Sequence, residues 1–207
     1  MILLCSNGLT SEKIKAELRK HVKGCKSAAV VVTADNEYKE NNYHVPERVE
    51  ELESLGLEVG LFDIDVADPE LLSEYDVVLF IGGNPFYLLD SIRSHGAERV
   101  LRLIAREKVL IGVSAAAFVF SPSLELCNQY TPEMNFVGLV DLTGLALTEV
   151  EVLPHYSRYL EKFPGFEDTC AKYEKKAGKE VVRLNDGDGV FVCSGCKDGE
   201  KVVQIKG

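Results

Sequence analysis

The sequence of this 207-residue chain lacks any apolar run long enough to form a membrane-spanning helix. Its first residues, Met1-Ile-Leu-Leu-Cys-Ser6, lack the basic lead and the cleavage site of a signal peptide, and they predict a first β-strand instead. Basic residues are in the minority, since 23 Lys and Arg stand against 33 Asp and Glu and give a net charge of −10. We therefore expect no nucleic acid and no anionic membrane among the partners of this chain.

The sequence also lacks the pattern of a disulfide framework or of a zinc site. Its six cysteines are spread along a chain without a secretory leader, which favours free thiols in a reducing, cytoplasmic location. Cys193 and Cys196 have the spacing of a redox pair, but they precede the turn signal Asp198-Gly199 instead of opening a helix that would lower their pKa. We therefore predict a β-hairpin at this position and expect neither a metal nor a cofactor.

No internal repeat, low-complexity segment or linker divides the chain, so we predict a single domain over residues 1–207. Apolar strands alternate with helices, which predicts an α/β fold: a parallel sheet covered by helices on both faces as a three-layer sandwich, followed by short C-terminal strands with hairpin turns. The predicted strands span residues 1–6, 27–33, 57–63, 77–81, 109–113 and 150–153. The predicted helices span residues 10–22, 46–55, 85–95, 98–107 and 167–177, with a short helix beginning at Asp68.

A serine follows directly after the predicted strand at residues 109–113. Ser114 is flanked by Gly112 two residues before it and by Ala116 two residues after it, and a run of alanines begins a helix. Small residues at these positions fit the sharp strand-to-helix turn of a nucleophile elbow, which lifts the serine hydroxyl above the sheet edge. The same segment is also compatible with a serine that only caps a helix.

Two further motifs follow predicted strands and are expected at the same edge of the sheet, where ligands bind in such folds. Gly82 and Gly83 precede Asn84, a good helix cap, so their N–H groups can face an oxyanion at a helix start. A tight turn that needs glycine for its dihedral angles is the alternative. His155 follows the strand at residues 150–153, and the other three histidines have no such placement.

Together these motifs resemble those of the peptidase E family, the aspartyl dipeptidases among the S51 serine peptidases. The resemblance rests on three segments, in the family's order and spacing, and extends over nearly the whole chain. They are Gly82-Gly-Asn-Pro-Phe-Tyr-Leu-Leu89, Gly112-Val-Ser-Ala-Ala-Ala117 and Leu153-Pro-His-Tyr156. It implies a fold like that of the class I glutamine amidotransferase domain.

The resemblance also implies roles for individual residues. Ser114 would be the nucleophile and His155 the general base, and the backbone N–H groups of Gly83 and Ala115 would form the oxyanion hole. The family has an acidic residue between the serine and the histidine, and Glu133 in Thr131-Pro-Glu-Met134 takes that position here. The family also carries an acidic residue near a late turn, so Asp186 and Asp188 are rivals of Glu133.

The activity implied is the hydrolysis of dipeptides with an N-terminal Asp through an acyl-enzyme. Arg158 is a candidate for binding the substrate carboxylate, because its planar fork suits that group. Asn84 and Tyr156 are further expected substrate contacts. A small peptide is the expected partner, and the chain is expected to be a monomer or a homodimer.

Ala116 departs from the family, which has glycine at this position. An alanine fits if its backbone is helical, whereas a positive φ would strain the elbow. Two alternatives therefore stay open: a catalytically impaired peptidase-like binding domain, and an amidase or other hydrolase of the same fold with a different substrate.

Overall fold

The computed structural model describes residues 1–196 and 199–207, and the side chains of all of these except 194–196, 199 and 200. The strands are β1 (Ile2–Cys5), β2 (Ser27–Val31), β3 (Glu58–Phe62), β4 (Val77–Phe80), β5 (Val109–Val113), β6 (Glu151–Leu153), β7 (Val181–Arg183), β8 (Gly189–Cys196) and β9 (Gly199–Ile205). The α-helices are α1 (Glu12–His21), α2 (Val45–Glu53), α3 (Pro85–Ser94), α4 (Glu98–Glu107), α5 (Ala115–Phe120), α6 (Glu125–Tyr130), α7 (Tyr156–Lys162) and α8 (Phe166–Ala177). Short 3-10 helices span Lys39–Asn41, Pro69–Glu74 and Pro132–Met134.

Seven strands form the main sheet in the order β3-β2-β4-β5-β1-β8-β9. The first five run parallel, whereas β8 pairs antiparallel with β1 and β9 pairs antiparallel with β8. The predicted α/β fold with a mostly parallel sheet flanked by helices is confirmed. The C-terminal strands β8 and β9 are longer than expected, at 8 and 7 residues, and they extend the main sheet.

Burial explains why the apolar segments became strands. Every residue of β1, β4 and β5 is buried, as expected for central parallel strands with both faces covered. Helix α4 buries Val100, Leu101, Ile104 and Ala105 along one stripe and leaves its charged residues outside. Helix α1 begins at Glu12, two residues after the start of the predicted range, because Ser11 rather than Thr10 accepts the capping hydrogen bond from the backbone N–H of Lys13.

The structure contains elements that the sequence pattern did not predict. Helices α6 and α7 have six and seven residues and no side-chain cap, and β7 pairs in parallel with β6 as a separate two-stranded sheet. The segment Cys193–Cys196 lies in strand β8, which pairs with β9, while Asp198 of the predicted turn lies outside the described residues. The five cysteines with described side chains are free thiols.

No helix in the described part of the chain combines the length and the apolar character that crossing a bilayer requires. The carboxyl ends of the parallel strands gather at one edge of the molecule. Ser6 follows β1, Gly82 follows β4 and Ser114 follows β5, while His155 and Asp186 follow the paired strands β6 and β7. This edge is where the candidate site lies.

Candidate active site

Ser114 lies at a strained turn between β5 and α5. Its φ is +51° and its ψ is −106°, a backbone conformation that residues other than glycine rarely adopt. The backbone N–H of Ser114 donates to the carbonyl oxygen of Cys5 at 2.9 Å, which holds the turn in place. Gly112 is required beneath it, since an added Cβ would lie 2.7 Å from the ring of Phe120. The sharp turn predicted from the sequence is therefore present.

Ala116 fits this turn without strain. It is fully buried inside helix α5 and is not among the residues with positive φ. Glycine is therefore not required at this position by the backbone conformation. An alanine in a helix also loses less conformational freedom on folding than a glycine does.

Three side chains form a continuous chain of hydrogen bonds. The hydroxyl of Ser114 donates to His155 Nε2 across 2.8 Å, and His155 Nδ1–H donates to Asp186 Oδ1 across 2.7 Å. The imidazole is mostly buried between them, with 17% of its side chain exposed. This is the geometry that a serine nucleophile, a base and an orienting carboxylate require.

The expected contact between Glu133 and His155 is not formed. Glu133 is exposed on the short helix Pro132–Met134, and Asp186 occupies the position beside Nδ1. The reason is the parallel pairing of β6 with β7, in which Leu153 lies opposite Arg183. Residues that follow the two strands by similar distances therefore meet, and these are His155 and Asp186.

Asp188, the other rival carboxylate, shapes the turn instead. Its carboxylate accepts hydrogen bonds from the backbone N–H groups of Asn185 at 3.0 Å and Gly207 at 2.9 Å. Asp188 therefore fixes the loop that presents Asp186.

Ser6 is a member of the site that sequence reasoning missed. It is fully buried, and its hydroxyl donates to Asp186 Oδ1 at 2.9 Å while accepting the backbone N–H of His155 at 2.9 Å. The second bond stabilises His155 in a left-handed conformation with φ +57°. The only sequence signal was the position of Ser6 at the end of the predicted first strand, residues 1–6.

Electrostatics favours an unprotonated base. Burial lowers the pKa of His155 from its ordinary value, because desolvation disfavours the imidazolium, and the Asp186 carboxylate opposes this effect only in part. Burial acts to raise the pKa of Asp186, but hydrogen bonds from His155 and Ser6 outweigh it, so this pKa lies below its usual range. The pair is therefore set as neutral imidazole and carboxylate near neutral pH.

The glycine turn after β4 lies directly beside Ser114. A Cβ on Gly82 would lie 3.1 Å from the Cβ of Ser114, and a Cβ on Gly83, whose φ is +154°, would lie 2.3 Å from the carbonyl oxygen of Ala34. The backbone N–H of Asn84 donates to that same carbonyl at 2.8 Å. The turn is thus tightly held between Ala34 and the serine, in the region where an oxyanion would form.

Ser114 and His155 line a cavity of about 490 Å³. Its wall also carries three basic side chains, His44, Arg48 and Arg158. Arg158 is 65% exposed and forms an ion pair with Asp186 Oδ2. Arg48 is only 4% exposed and donates to the carbonyl oxygen of Asn7 and to Glu47.

The remaining predicted residues have different surroundings. The Asn84 side chain accepts from the N–H groups of Phe86 and Tyr87 and donates to the carbonyl of Met134, so it caps α3 and fixes the neighbouring loop. Tyr156 does not line the cavity, because its hydroxyl donates to Glu167 at 2.8 Å and its ring packs near Phe166. Ala115 is the first residue of α5, directly after the serine.

The sequence of this chain is similar to those of peptidases from two Listeria species. An uncharacterized peptidase of Listeria monocytogenes is 29% identical over 184 residues, which cover 85% of this chain and 86% of that protein. An uncharacterized peptidase of Listeria innocua is 30% identical over 148 residues, covering 68% of this chain and 69% of that protein.

Solved structures show the same fold. The crystal structure of a Listeria monocytogenes protein assigned provisionally to peptidase E matches with a TM-score of 0.75 and 24% identity, covering 99% of this chain and 98% of that one. A peptidase from an acI-B1 Actinobacterium matches with a TM-score of 0.66 and 18% identity, covering 98% and 86%. The profile of peptidase family S51 matches residues 2–198, nearly the whole length. This chain is therefore a member of peptidase family S51.

Proposed function

We propose that this peptidase is a serine exopeptidase that hydrolyses dipeptides with an N-terminal Asp through an acyl-enzyme. The observation that carries the proposal is the hydrogen-bonded series from Ser114 through His155 to Asp186, with donor–acceptor distances of 2.8 and 2.7 Å. In this assignment Asp186 replaces Glu133 as the third member of the triad.

Acylation begins when Ser114 Oγ bonds to the carbonyl carbon of the substrate and its proton passes to His155 Nε2. Asp186 holds the imidazole through Nδ1 and stabilises the imidazolium that forms. The negative oxygen of the tetrahedral intermediate is directed towards the backbone N–H groups of Gly83 and Ala115. A donor of this kind contributes about 3 kcal/mol to transition-state stabilisation.

The C–N bond then breaks as His155 returns its proton to the leaving amine, and the second amino acid departs. Water attacks the acyl-enzyme next. His155 takes one proton from the water and delivers it to Ser114 Oγ as the N-terminal Asp is released. The lowered pKa of His155 supports both steps, since the base is unprotonated at the start of each.

The preference for Asp rests on the resemblance to aspartyl dipeptidases and on charge. The cavity that contains Ser114 is lined by His44, Arg48 and Arg158, which favour an acidic side chain. Arg158 is more exposed than Arg48 and can therefore move to a substrate carboxylate more easily. Arg48 is buried, so its movement would break its ion pair with Glu47.

The test combines chemical labelling with a substrate panel. A serine-directed phosphonate is expected to label wild type at Ser114 and not to label Ser114→Ala, while Asp-X dipeptides are hydrolysed in preference to Glu-X, isoaspartyl and N-blocked peptides. Loss of a triad nucleophile lowers kcat by about 10⁴-fold or more. Ser94→Ala, an exposed serine at the end of α3, is the matched control.

Two results would change the assignment. Activity of Ser114→Ala within about tenfold of wild type would exclude Ser114 as the nucleophile. A labelled wild type that hydrolyses none of the panel would favour the impaired binding domain or a hydrolase with another substrate.

A further inference from the structure

A second cavity of about 570 Å³ adjoins the one that contains Ser114. The two cavities share Asn42, Tyr43 and Gly83 in their walls. Because Gly83 also lies in the turn beside Ser114, the second cavity begins where the scissile carbonyl would be held. A ligand anchored at Ser114 can therefore extend into it.

The two cavities differ in chemistry. The first has two histidines and two arginines in its wall, whereas no Lys, Arg or His lines the second among the residues that the structure describes. The second is lined instead by the aromatic rings of Tyr38 and Tyr43 and by Met134. Tyr38 is 56% exposed, and solvent-exposed aromatic rings in a concave wall are a common feature of ligand sites.

The wall of the second cavity is held in place by interactions of its own. The Asp35 carboxylate accepts from the backbone N–H groups of Glu37 and Tyr38 and from the Asn42 side chain. Lys39, at a positive φ of 51°, binds the carboxylates of Asp63 and Asp65. The loop that carries the tyrosines is thus anchored before any ligand arrives, and the charge of Asp35 is already engaged.

From this contrast, and resting on the proposed function, we propose that the second cavity binds the side chain of the residue after the scissile bond and prefers an aromatic or large apolar one. The acidic residue belongs in the first cavity, where Arg48 and Arg158 lie. The leaving amino acid then has the second cavity, with its two tyrosine rings and no basic side chain, available on the other side of Gly83.

The test measures binding without turnover. In the Ser114→Ala protein, calorimetry is expected to show Asp-Phe binding about tenfold more tightly than Asp-Gly, because a phenyl ring is removed from water. Adding Tyr38→Ser is expected to bring this ratio within about threefold, since one wall of the subsite is lost. Phe136→Ser is the matched control, because Phe136 is 59% exposed and lines neither cavity.

Equal affinities for Asp-Phe and Asp-Gly, or no binding of either, would overturn the subsite. It would also fail if Tyr38→Ser and Phe136→Ser gave the same ratio. Hydrolysis is assayed separately with the wild-type protein. Binding selectivity without hydrolysis would count against the proposed function alone, and hydrolysis of both dipeptides without selectivity would count against the subsite alone.

Discussion

At the scale of single residues, the Ser6 hydroxyl connects two members of the proposed triad. It orients the Asp186 carboxylate and holds the His155 backbone at the same time. We expect Ser6→Ala to lower kcat by about tenfold to a hundredfold and to leave KM nearly unchanged. A small displacement of a catalytic base slows the chemical step without weakening substrate binding. Steady-state kinetics with an Asp-X dipeptide measures kcat and KM separately for Ser6→Ala and wild type.

Ser6→Thr is the control for this prediction, since it keeps the hydroxyl. It is expected to recover part of the kcat lost in Ser6→Ala. If Ser6→Ala altered KM alone, or if Ser6→Thr were no better than Ser6→Ala, the positioning role would be wrong.

Arg158 also acts on His155, through its charge. Burial is the main cause of the lowered pKa of His155, and the positive charge of Arg158 lowers it further. Removing that charge in Arg158→Gln is expected to raise the pKa of His155. Because unprotonated His155 is the active form in the proposed mechanism, the acid limb of the kcat/KM profile is expected to move to higher pH.

Arg99→Gln is the matched control for the pH profile, because Arg99 is an exposed arginine on α4 that pairs with Glu70. Its acid limb is expected to match that of wild type. A rise in KM of Arg158→Gln for Asp-X substrates, with no movement of the acid limb, would instead assign Arg158 to substrate binding alone.

At the scale of elements, the turn between β4 and α3 has no room for a side chain. Gly83→Ala would put a Cβ 2.3 Å from the Ala34 carbonyl oxygen, so the backbone must move. We expect kcat of Gly83→Ala to fall by about a hundredfold or more, as when an oxyanion donor is lost.

Gly24→Ala is the control, since Gly24 has a φ of +85° but open space around it. Gly24→Ala is expected to lower the free energy of unfolding by about 1 kcal/mol and to leave kcat unaltered. Equal kcat values for Gly83→Ala and Gly24→Ala would contradict the proposed role of Gly83.

The elements differ in how far the sequence could predict them. Helix α4 and strand β5 have the predicted bounds, because an amphipathic stripe and a continuous apolar run are both strong local signals. Strand β7 has only three residues and pairs with an equally short strand nearly thirty positions away. Ser114 and His155 could be predicted from their own segments, whereas the contact between His155 and Asp186 depends on this distant pairing, which has no local signature.

At the scale of the whole molecule, the core directly supports the elbow. Phe120 is fully buried, meets the ring of Phe80 edge-on at 5.2 Å and fills the space beside Gly112. We expect Phe120→Ala to lower the free energy of unfolding by about 3–5 kcal/mol, measured by urea denaturation. Phe136→Ala, at an exposed position, is expected to change it by less than about 0.5 kcal/mol. A similar small change in both variants would contradict this account of the core.

Strand β1 lies in the middle of the sheet, between β5 and β8. The residues at its carboxyl end, Cys5 and Ser6, hold the backbone N–H groups of Ser114 and His155. Its partners β5 and β8 lie far from it along the sequence, so these contacts close large loops as the chain folds. We therefore expect the proposed active site to be completed late in folding, once β1 has paired with both neighbours.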